Sequence, residues 1–186
     1  VILTLVYFGC PMLCGLVSNA QMDAMKRIAD WTPGEEYQAV TVSFDPRETR
    51  ELAAMKKQNY VNEWGKPEAA KGWHFLTGRQ DEITKVAAVV GFRYRWDEKT
   101  KQFAHAPAIM VVTPDGRMSR YLHGVGYDPK VLRLSLVEAA EGRIGTTTDH
   151  VLLYCFQYDP TRGAYTLAAR NLMTAGAGLT VLAMTA

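Results

Sequence analysis

Two cysteines, Cys10 and Cys14, are the residues of this 186-residue chain whose spacing most clearly predicts chemistry. Neighbouring thiols can close a disulfide, bind a soft metal such as Cu(I), or do both in turn. Their C-x-x-x-C spacing differs from the C-x-x-C of thioredoxin-type redox enzymes and from the paired C-x-x-C of zinc sites. The spacing therefore leaves a redox dithiol and a metal site both open.

A metal held by two thiolates needs at least one further ligand, and imidazole suits Cu(I) as thiolate does. The chain has four histidines: His74, His105, His123 and His150. His105 comes just before an apolar strand, and ligands in α/β proteins collect at strand ends. His74 falls within a short apolar strand, His123 lies beside a glycine in a hairpin or loop, and His150 lies far along the chain. We therefore predict that His105 is the third ligand.

The residues around the cysteines predict a strand that leads into a helix. Residues 1–8 form an apolar run that is rich in β-branched and aromatic residues, as in a buried strand. Apolar residues then recur at helical spacing over residues 15–31, and Pro11 suits the first helical position. Cys10 is predicted near the helix N-cap and Cys14 one turn on. The positive end of the helix dipole should then favour the thiolate form of both.

The rest of the first 144 residues predicts an α/β domain with a central mixed sheet flanked by helices. Strands and helices alternate, which implies parallel pairing and right-handed crossovers, and a final hairpin adds an antiparallel edge. Strands are predicted at residues 37–44, 73–76, 108–112 and 117–122, and helices at residues 50–61, 81–90 and 128–141. The net charge is +2 with both signs mixed along the chain, so no nucleic-acid-binding surface is indicated.

Three segments resemble the Sco/SenC family. The stretch from Cys10 to Cys14, behind a Leu-Val-Tyr-Phe strand, resembles the C-P-x-x-C signature of that family. Val42-Ser-Phe-Asp-Pro46 with Glu48-Thr49 is similar to its V-S-x-D-P-x-x-D/E-T segment. His105 lies ahead of a strand and a Pro-Asp-Gly turn, as the family's histidine does. The similarity extends from residue 1 to about residue 144, with the motifs in the family's order.

The resemblance implies a thioredoxin-like fold and a role as a copper metallochaperone in assembling the copper A centre of cytochrome c oxidase. Carried over by position, Cys10, Cys14 and His105 are the copper ligands, for Cu(I) and as a further candidate Cu(II). The implied partner is the oxidase subunit that carries the copper A site, or another copper chaperone. The same dithiol would also serve a thiol–disulfide oxidoreductase that keeps a partner's cysteines reduced, so that alternative stays open. A peroxiredoxin-like peroxidase is disfavoured, because no Thr or Arg around Cys10 is arranged to activate peroxide.

Two features depart from the family pattern. His105 is flanked by alanines, where many members place Asp before it and Ser or Thr after it. A carboxylate that orients the imidazole must therefore come from elsewhere, and Asp45, at the end of a predicted strand, is our candidate. Pro107 precedes a central strand, as the cis-proline does in thioredoxin-like redox enzymes. We therefore consider a cis Ala106–Pro107 peptide bond as an expectation.

Both ends of the chain look cut. The predicted domain covers residues 1–144 with its N-terminal part missing, and residues 145–186 are predicted to form a C-terminal extension. Cys155, within that extension, is expected to be a packed thiol rather than a ligand. Residues 171–186 carry no charge but are fewer than the roughly 20 needed to cross a bilayer, which predicts a truncated membrane anchor rather than a docking helix. The expected location is the bacterial periplasm, with the protein anchored in the membrane.

Overall fold

A computed structural model describes residues 1–11, 13–28 and 30–142 of the chain, and the backbone of two short strands beyond them. The chain divides into two compact units, Val1–Ile144 and Gly145–Ala186. All four predicted site residues belong to the first unit, which is the subject of the following description.

In the second unit, Tyr158–Asp159 and Ala164–Tyr165 pair as a short antiparallel ladder. His150, Cys155 and the uncharged segment 171–186 lie outside the described residues. The expectations of a packed thiol and a truncated membrane anchor therefore stay predictions.

Five strands form the central sheet of the first unit, in the order β3-β2-β1-β6-β7. They are β1 (Ile2–Val6), β2 (Ala39–Ser43), β3 (Trp73–Leu76), β6 (Ala108–Val112) and β7 (Met118–His123). Strands β1, β2 and β3 are parallel, whereas β6 pairs antiparallel with both β1 and β7. The predicted mixed sheet is confirmed.

Strand β1 occupies the middle of this sheet and is almost fully buried. Ile2, Leu5 and Val6 are each no more than 1% exposed, which explains the continuous apolar run in the sequence. The one polar side chain in the strand, Thr4, donates a hydrogen bond to the side-chain oxygen of Gln21 at 2.7 Å. The strand that precedes the cysteines is therefore fixed by the core on both sides.

Four α-helices surround the sheet, and their ends follow local sequence signals. They are α1 (Leu13–Lys26), α2 (Arg50–Trp64), α3 (Gln80–Val89) and α4 (Pro129–Ala140), with a 3-10 helix at Pro67–Lys71. Thr49 caps α2 by accepting the N–H of Leu52 at 3.3 Å, and Asp128 caps α4. Within the described residues, no helix combines the length and the apolar character needed to cross a membrane.

Helix α1 is shorter than the sequence pattern predicted. It begins at Leu13 and ends at Lys26 rather than continuing to residue 31. Asp30 has a φ of +67°, a left-handed conformation that a right-handed helix cannot contain. Pro11 precedes the helix instead of opening it. The apolar residues at the end of the predicted helix therefore belong to a turn that packs on the core.

A second, two-stranded sheet carries the histidine. Strand β4 (Tyr94–Asp97) and strand β5 (Gln102–His105) form an antiparallel hairpin that is not part of the central sheet. Its turn uses Lys101 at a φ of +54°. His105 is thus the last residue of β5, and it also comes just before the apolar strand β6, as the sequence had predicted.

The peptide bond between Ala106 and Pro107 is trans, so the expectation of a cis bond is wrong. Pro107 lies immediately before β6, and its carbonyl accepts the N–H of Gly124 at 2.9 Å. Because proline has no N–H to offer, this position at the start of a strand suits it. This hydrogen bond extends the pairing of β6 with β7 by one residue.

Candidate metal centre

The cysteines lie where the central strand β1 turns into helix α1. The N–H of Cys10 donates to the carbonyl of Tyr7 at 3.3 Å, which closes a turn after the strand. Cys14 is the second residue of α1, and its N–H donates to the Cys10 sulfur at 3.4 Å. The Cys10 sulfur therefore meets one of the N–H groups that a helix start leaves without a helical partner.

Cys14 and His105 are in contact. The Nε2 atom of His105 lies 3.3 Å from the Cys14 sulfur, although 91 residues separate the two in the chain. Cys14 is only 3% exposed, and its sulfur also accepts the N–H of Tyr7 at 3.4 Å. Cys10 is half-buried beside it. The structure thus brings Cys14 and His105, two of the three predicted ligands, into contact. The third, Cys10, lies four residues before Cys14 in the chain.

The charge environment of Cys14 is the reverse of the sequence expectation. Burial raises the pKa of the Cys14 thiol, and the nearby Cys10 and Glu48 raise it further. Only the hydrogen bond from the Tyr7 N–H lowers it. Desolvation at this depth outweighs the helix dipole, so the metal-free thiol keeps its proton. A bound cation would stabilise the thiolate.

The imidazole of His105 is held neutral and oriented. Burial lowers the pKa of His105 below its ordinary value. Its Nδ1 lies 3.2 Å from the carbonyl oxygen of Ala106, to which the neutral ring donates when the proton is on that nitrogen. The ring packs edge-on against Phe44, with centroids 5.1 Å apart. In this tautomer the lone pair of Nε2 is available on the side of Cys14.

Asp45 does not hydrogen-bond His105. Its two carboxylate oxygens accept hydrogen bonds from Arg47 at 2.8 and 2.7 Å. Burial opposes ionisation of Asp45, but Arg47 outweighs it and holds the pKa of the carboxyl below its usual value. Arg47 in turn stacks over Trp96 at 4.8 Å and Phe103 at 5.7 Å, both on the hairpin that ends in His105. Arg47 therefore links Asp45 to the hairpin that carries the histidine.

Glu48 is a site residue that the sequence argument missed. Its carboxylate accepts the N–H of Phe8 at 2.7 Å, the N–H of Gly9 at 2.6 Å and the hydroxyl of Ser43. These bonds tie the end of β2 to the residues directly before Cys10. A signal was present, because the segment that resembles the family motif contains this acidic residue, but the sequence does not indicate which N–H groups it binds.

The chemistry of the three donors indicates which metal they fit. Two sulfurs and a neutral imidazole form a soft donor set, which suits Cu(I) better than hard cations. Among the described residues, no three or more His, Cys, Asp or Glu side chains already converge as a metal-holding group. Binding through all three residues would therefore require an adjustment of the donors as the metal enters.

Comparison with known proteins assigns the chain to a group. The sequence model described as SCO1/SenC matches residues 1–141. A search of curated proteins found no match. Among solved structures, Arabidopsis thaliana ScoI with copper bound superposes with a TM-score of 0.53 at 23% identity, covering 76% of this chain and 83% of that one.

Two further structures are similar. A SCO1/SenC family lipoprotein from Bacillus anthracis str. Ames has a TM-score of 0.59 at 16% identity, covering 75% of this chain and 80% of its own. BsSco, described as having a disulfide switch and as a member of the Sco family of cytochrome c oxidase assembly proteins, has a TM-score of 0.55 at 20% identity, covering 74% of this chain and 78% of its own. The fold of the first unit is thioredoxin-like, and the chain belongs to the SCO1/SenC family.

Proposed function

We propose that this protein binds copper through Cys10, Cys14 and His105 and acts as a copper metallochaperone in assembling the copper A centre of cytochrome c oxidase. The observation that carries the proposal is the 3.3 Å approach of the His105 Nε2 to the buried Cys14 sulfur. Family membership supports it, as do the copper in Arabidopsis ScoI and the oxidase-assembly role of the family to which BsSco belongs.

Charge explains why copper suits this site. When Cu(I) binds, each cysteine releases its proton to solvent, and two thiolates with one Cu(I) carry a net charge of −1. The N–H groups of Tyr7 and Cys14, which already point at the sulfurs, offset part of that charge. His105 adds a ligand without adding charge, because burial disfavours its protonated form. Zinc would ordinarily take a fourth ligand.

The partner we propose is the oxidase subunit that carries the copper A site, or another copper chaperone. We further propose that the protein works in the bacterial periplasm, attached to the membrane. The lipoprotein from Bacillus anthracis supports an envelope location, since it belongs to the same family. Fractionation of cells that express the complete gene product should place it in the membrane fraction with its domain accessible from the periplasm. Recovery from the cytosol would contradict this.

A second candidate function uses the sulfurs alone. Cys10 lies just before helix α1 and Cys14 in its first turn, and the Cys10 sulfur accepts the Cys14 N–H at 3.4 Å, so the two thiols can form a reversible disulfide. A thiol–disulfide oxidoreductase would use that disulfide to keep a partner's cysteines reduced, with no need for the imidazole. Peptide mapping after mild oxidation should find Cys10 bridged to Cys14, with Cys155 in no disulfide with either of them.

Anaerobic titration with Cu(I) separates the two functions. Wild-type protein should bind one copper, and X-ray absorption should show two sulfur ligands and at least one nitrogen. His105→Ala should weaken binding by at least about tenfold, since loss of even an indirect partner of a metal ligand costs that much. His123→Ala, an exposed histidine on β7, is the matched control and should bind as wild type does.

Two outcomes are decisive. Full-strength copper binding by Cys14→Ala would refute the metal site, because it would leave one sulfur at most. If His105→Ala binds no less copper and reduces a disulfide substrate as fast as wild type, the oxidoreductase function is the correct one.

A further inference from the structure

The hydroxyl of Tyr7 is a buried polar group without a hydrogen bond. Among the described residues, only two buried side-chain atoms lack such a partner, the hydroxyls of Tyr7 and Tyr37. Tyr7 is 7% exposed, so bulk solvent has little access to this residue. A buried hydroxyl in this state destabilises the fold, and a phenylalanine would avoid the penalty. Such a group therefore calls for an explanation.

The surroundings of this hydroxyl are the two candidate sulfur ligands. Tyr7 lines the same cleft as Cys10 and Cys14, and its own N–H donates to the Cys14 sulfur at 3.4 Å. Its ring is fixed by Phe44 and Phe103, with centroids 5.6 and 5.4 Å away. Burial raises the pKa of Tyr7, the neighbouring Cys10 and then Cys14 raise it further, and the Phe103 backbone lowers it. The hydroxyl therefore keeps its proton and remains a donor.

What this donor lacks is a strong acceptor, and copper binding creates one. A thiol sulfur accepts hydrogen bonds weakly, whereas a thiolate accepts them strongly. When copper binds, the Cys10 thiol loses its proton to solvent and its sulfur becomes anionic. The Cys14 sulfur already has the Tyr7 N–H and His105 beside it. The Cys10 sulfur, which already accepts the N–H of Cys14, is the less buried of the two, and a hydroxyl donor would further stabilise its negative charge.

We propose that Tyr7 is a positioning residue whose hydroxyl donates a hydrogen bond to the Cys10 thiolate once copper is bound. The bond fixes the outer sulfur beside the buried Cys14–His105 pair and reduces the negative charge on it. This inference rests on the proposed copper function for its biological meaning. The unsatisfied hydroxyl of the metal-free protein is then a donor set in place before the metal arrives.

The test is Tyr7→Phe, with Tyr37→Phe as a matched control. Both substitutions remove a buried, unpartnered hydroxyl and keep the ring, but Tyr37 does not line the sulfur cleft. Cu(I) affinity is measured by anaerobic competition with a chromophoric chelator. Tyr7→Phe should lose about tenfold in affinity, the usual effect of one hydrogen bond to a charged group. Tyr37→Phe should bind copper as wild type does.

Two readouts without copper complete the design. The rate of alkylation of Cys10 by iodoacetamide, followed by peptide mapping, should fall in Tyr7→Phe and stay unchanged in Tyr37→Phe, because the hydroxyl also stabilises the free thiolate. The melting temperatures of both metal-free variants should equal or exceed that of wild type, since each loses an unsatisfied group. That result separates positioning from a general loss of structure.

The outcomes are unambiguous. Wild-type copper affinity and alkylation rate in Tyr7→Phe would overturn the inference, and so would an equal loss in Tyr37→Phe. If wild-type protein itself binds no copper, the proposed function fails, and the alkylation rates alone decide whether Tyr7 supports the Cys10 thiolate.

Discussion

The two sides of the candidate centre are built differently. The cysteine side, residues 7–14, continues a fully buried central strand into helix α1 and is held by the hydrogen bonds that its backbone N–H groups donate to the Glu48 carboxylate. The histidine side, the β4–β5 hairpin, is a separate two-stranded sheet. It is attached by ring packing around Phe44 and by the stacking of Arg47 over Trp96.

This contrast indicates how the centre can be both preformed and adjustable. Directional hydrogen bonds fix the backbone of the cysteine side, because each has a narrow range of distance and angle. Ring contacts on the histidine side tolerate small displacements, since dispersion attraction has little directional preference. We therefore expect a metal to adjust the histidine side more than the cysteine side. The following predictions test that contrast, beginning with the largest effect.

Phe44→Ala should destabilise the protein most, because Phe44 is where the two sides meet. It is fully buried and packs against Tyr7 on one side and against His105 on the other. Removing a buried phenyl ring costs about 3–5 kcal/mol. Urea denaturation measures the loss, and Phe44→Leu, which retains most of the volume, should lose far less. Equal losses of stability in the two variants would show that the Phe44 ring does not hold the two sides together.

Glu48→Ala should act mainly on the cysteine side. The variant leaves two backbone N–H groups and the Ser43 hydroxyl without their acceptor, at a cost of about 2–3 kcal/mol. Amide hydrogen exchange should accelerate at Phe8 and Gly9 before it does in the β4–β5 hairpin. Glu51→Ala, an exposed residue in the first turn of α2, is the control and should change little. Faster exchange in the hairpin first would contradict the division into two sides.

Asp45→Asn should weaken the histidine side by about 0.5–1 kcal/mol at neutral pH, since its partner Arg47 is largely exposed. The pKa of Asp45 is lowered in the folded state, so the unfolded chain binds the proton more readily. The contribution of this carboxylate is therefore complete above about pH 4 and is lost as the pH falls through the folded-state pKa.

Denaturation at several pH values checks this, because Asp45→Asn should lose part of the acid dependence that wild type shows. Tryptophan fluorescence should change as well, if Arg47 no longer stacks on Trp96. Asp81→Asn removes an ion pair in which both partners are exposed, so solvent screening should make its change in acid dependence smaller, and its tryptophan fluorescence should not change. If the stability of Asp45→Asn falls with decreasing pH as steeply as that of wild type, the Asp45 carboxylate does not make this contribution.

Gly9→Ala should have the smallest effect on stability. An added Cβ would lie 3.2 Å from the Glu48 Oε1, which crowds the carboxylate. The restriction of the unfolded chain offsets that strain by about 0.4–1 kcal/mol. Gly15→Ala within α1 meets no atom within 4 Å and should stabilise the protein, so the difference between the two variants measures the crowding. Equal stabilisation in both would mean that the Glu48 contact is loose.

Much of the fold could be predicted because it depends on local patterns. The apolar run of β1 and the alternation of strands and helices both follow from the spacing of apolar and polar residues along the chain. The Asp128-Pro129 start of α4 likewise needs no knowledge of distant residues. The end of α1 could not be placed, because apolar spacing continues past Lys26 while the backbone at Asp30 does not.

The site was predictable in its residues more than in its energetics. Spacing and position indicated Cys10, Cys14 and His105, but the ligand assignment itself stays a prediction. The raised pKa of Cys14 comes from burial depth, which no local pattern reveals. The Glu48 carboxylate accepts backbone N–H groups, and the Ala106 carbonyl lies beside the His105 Nδ1. Residue type does not reveal which backbone groups take part in such contacts.

The unequal burial of the two sulfurs sets an order of events. Cys14 is 3% exposed, whereas Cys10 is half-buried and follows the exposed Gly9. Soft metals pass between proteins by exchange of one sulfur for another, and an approaching sulfur reaches only the accessible atom. Under the proposed copper function, Cys10 is therefore the sulfur that a copper donor or acceptor reaches first, and the buried Cys14 exchanges its bond to the metal only after Cys10 has done so. The same order would apply to disulfide exchange, with a mixed disulfide forming at Cys10 and being resolved from within by Cys14.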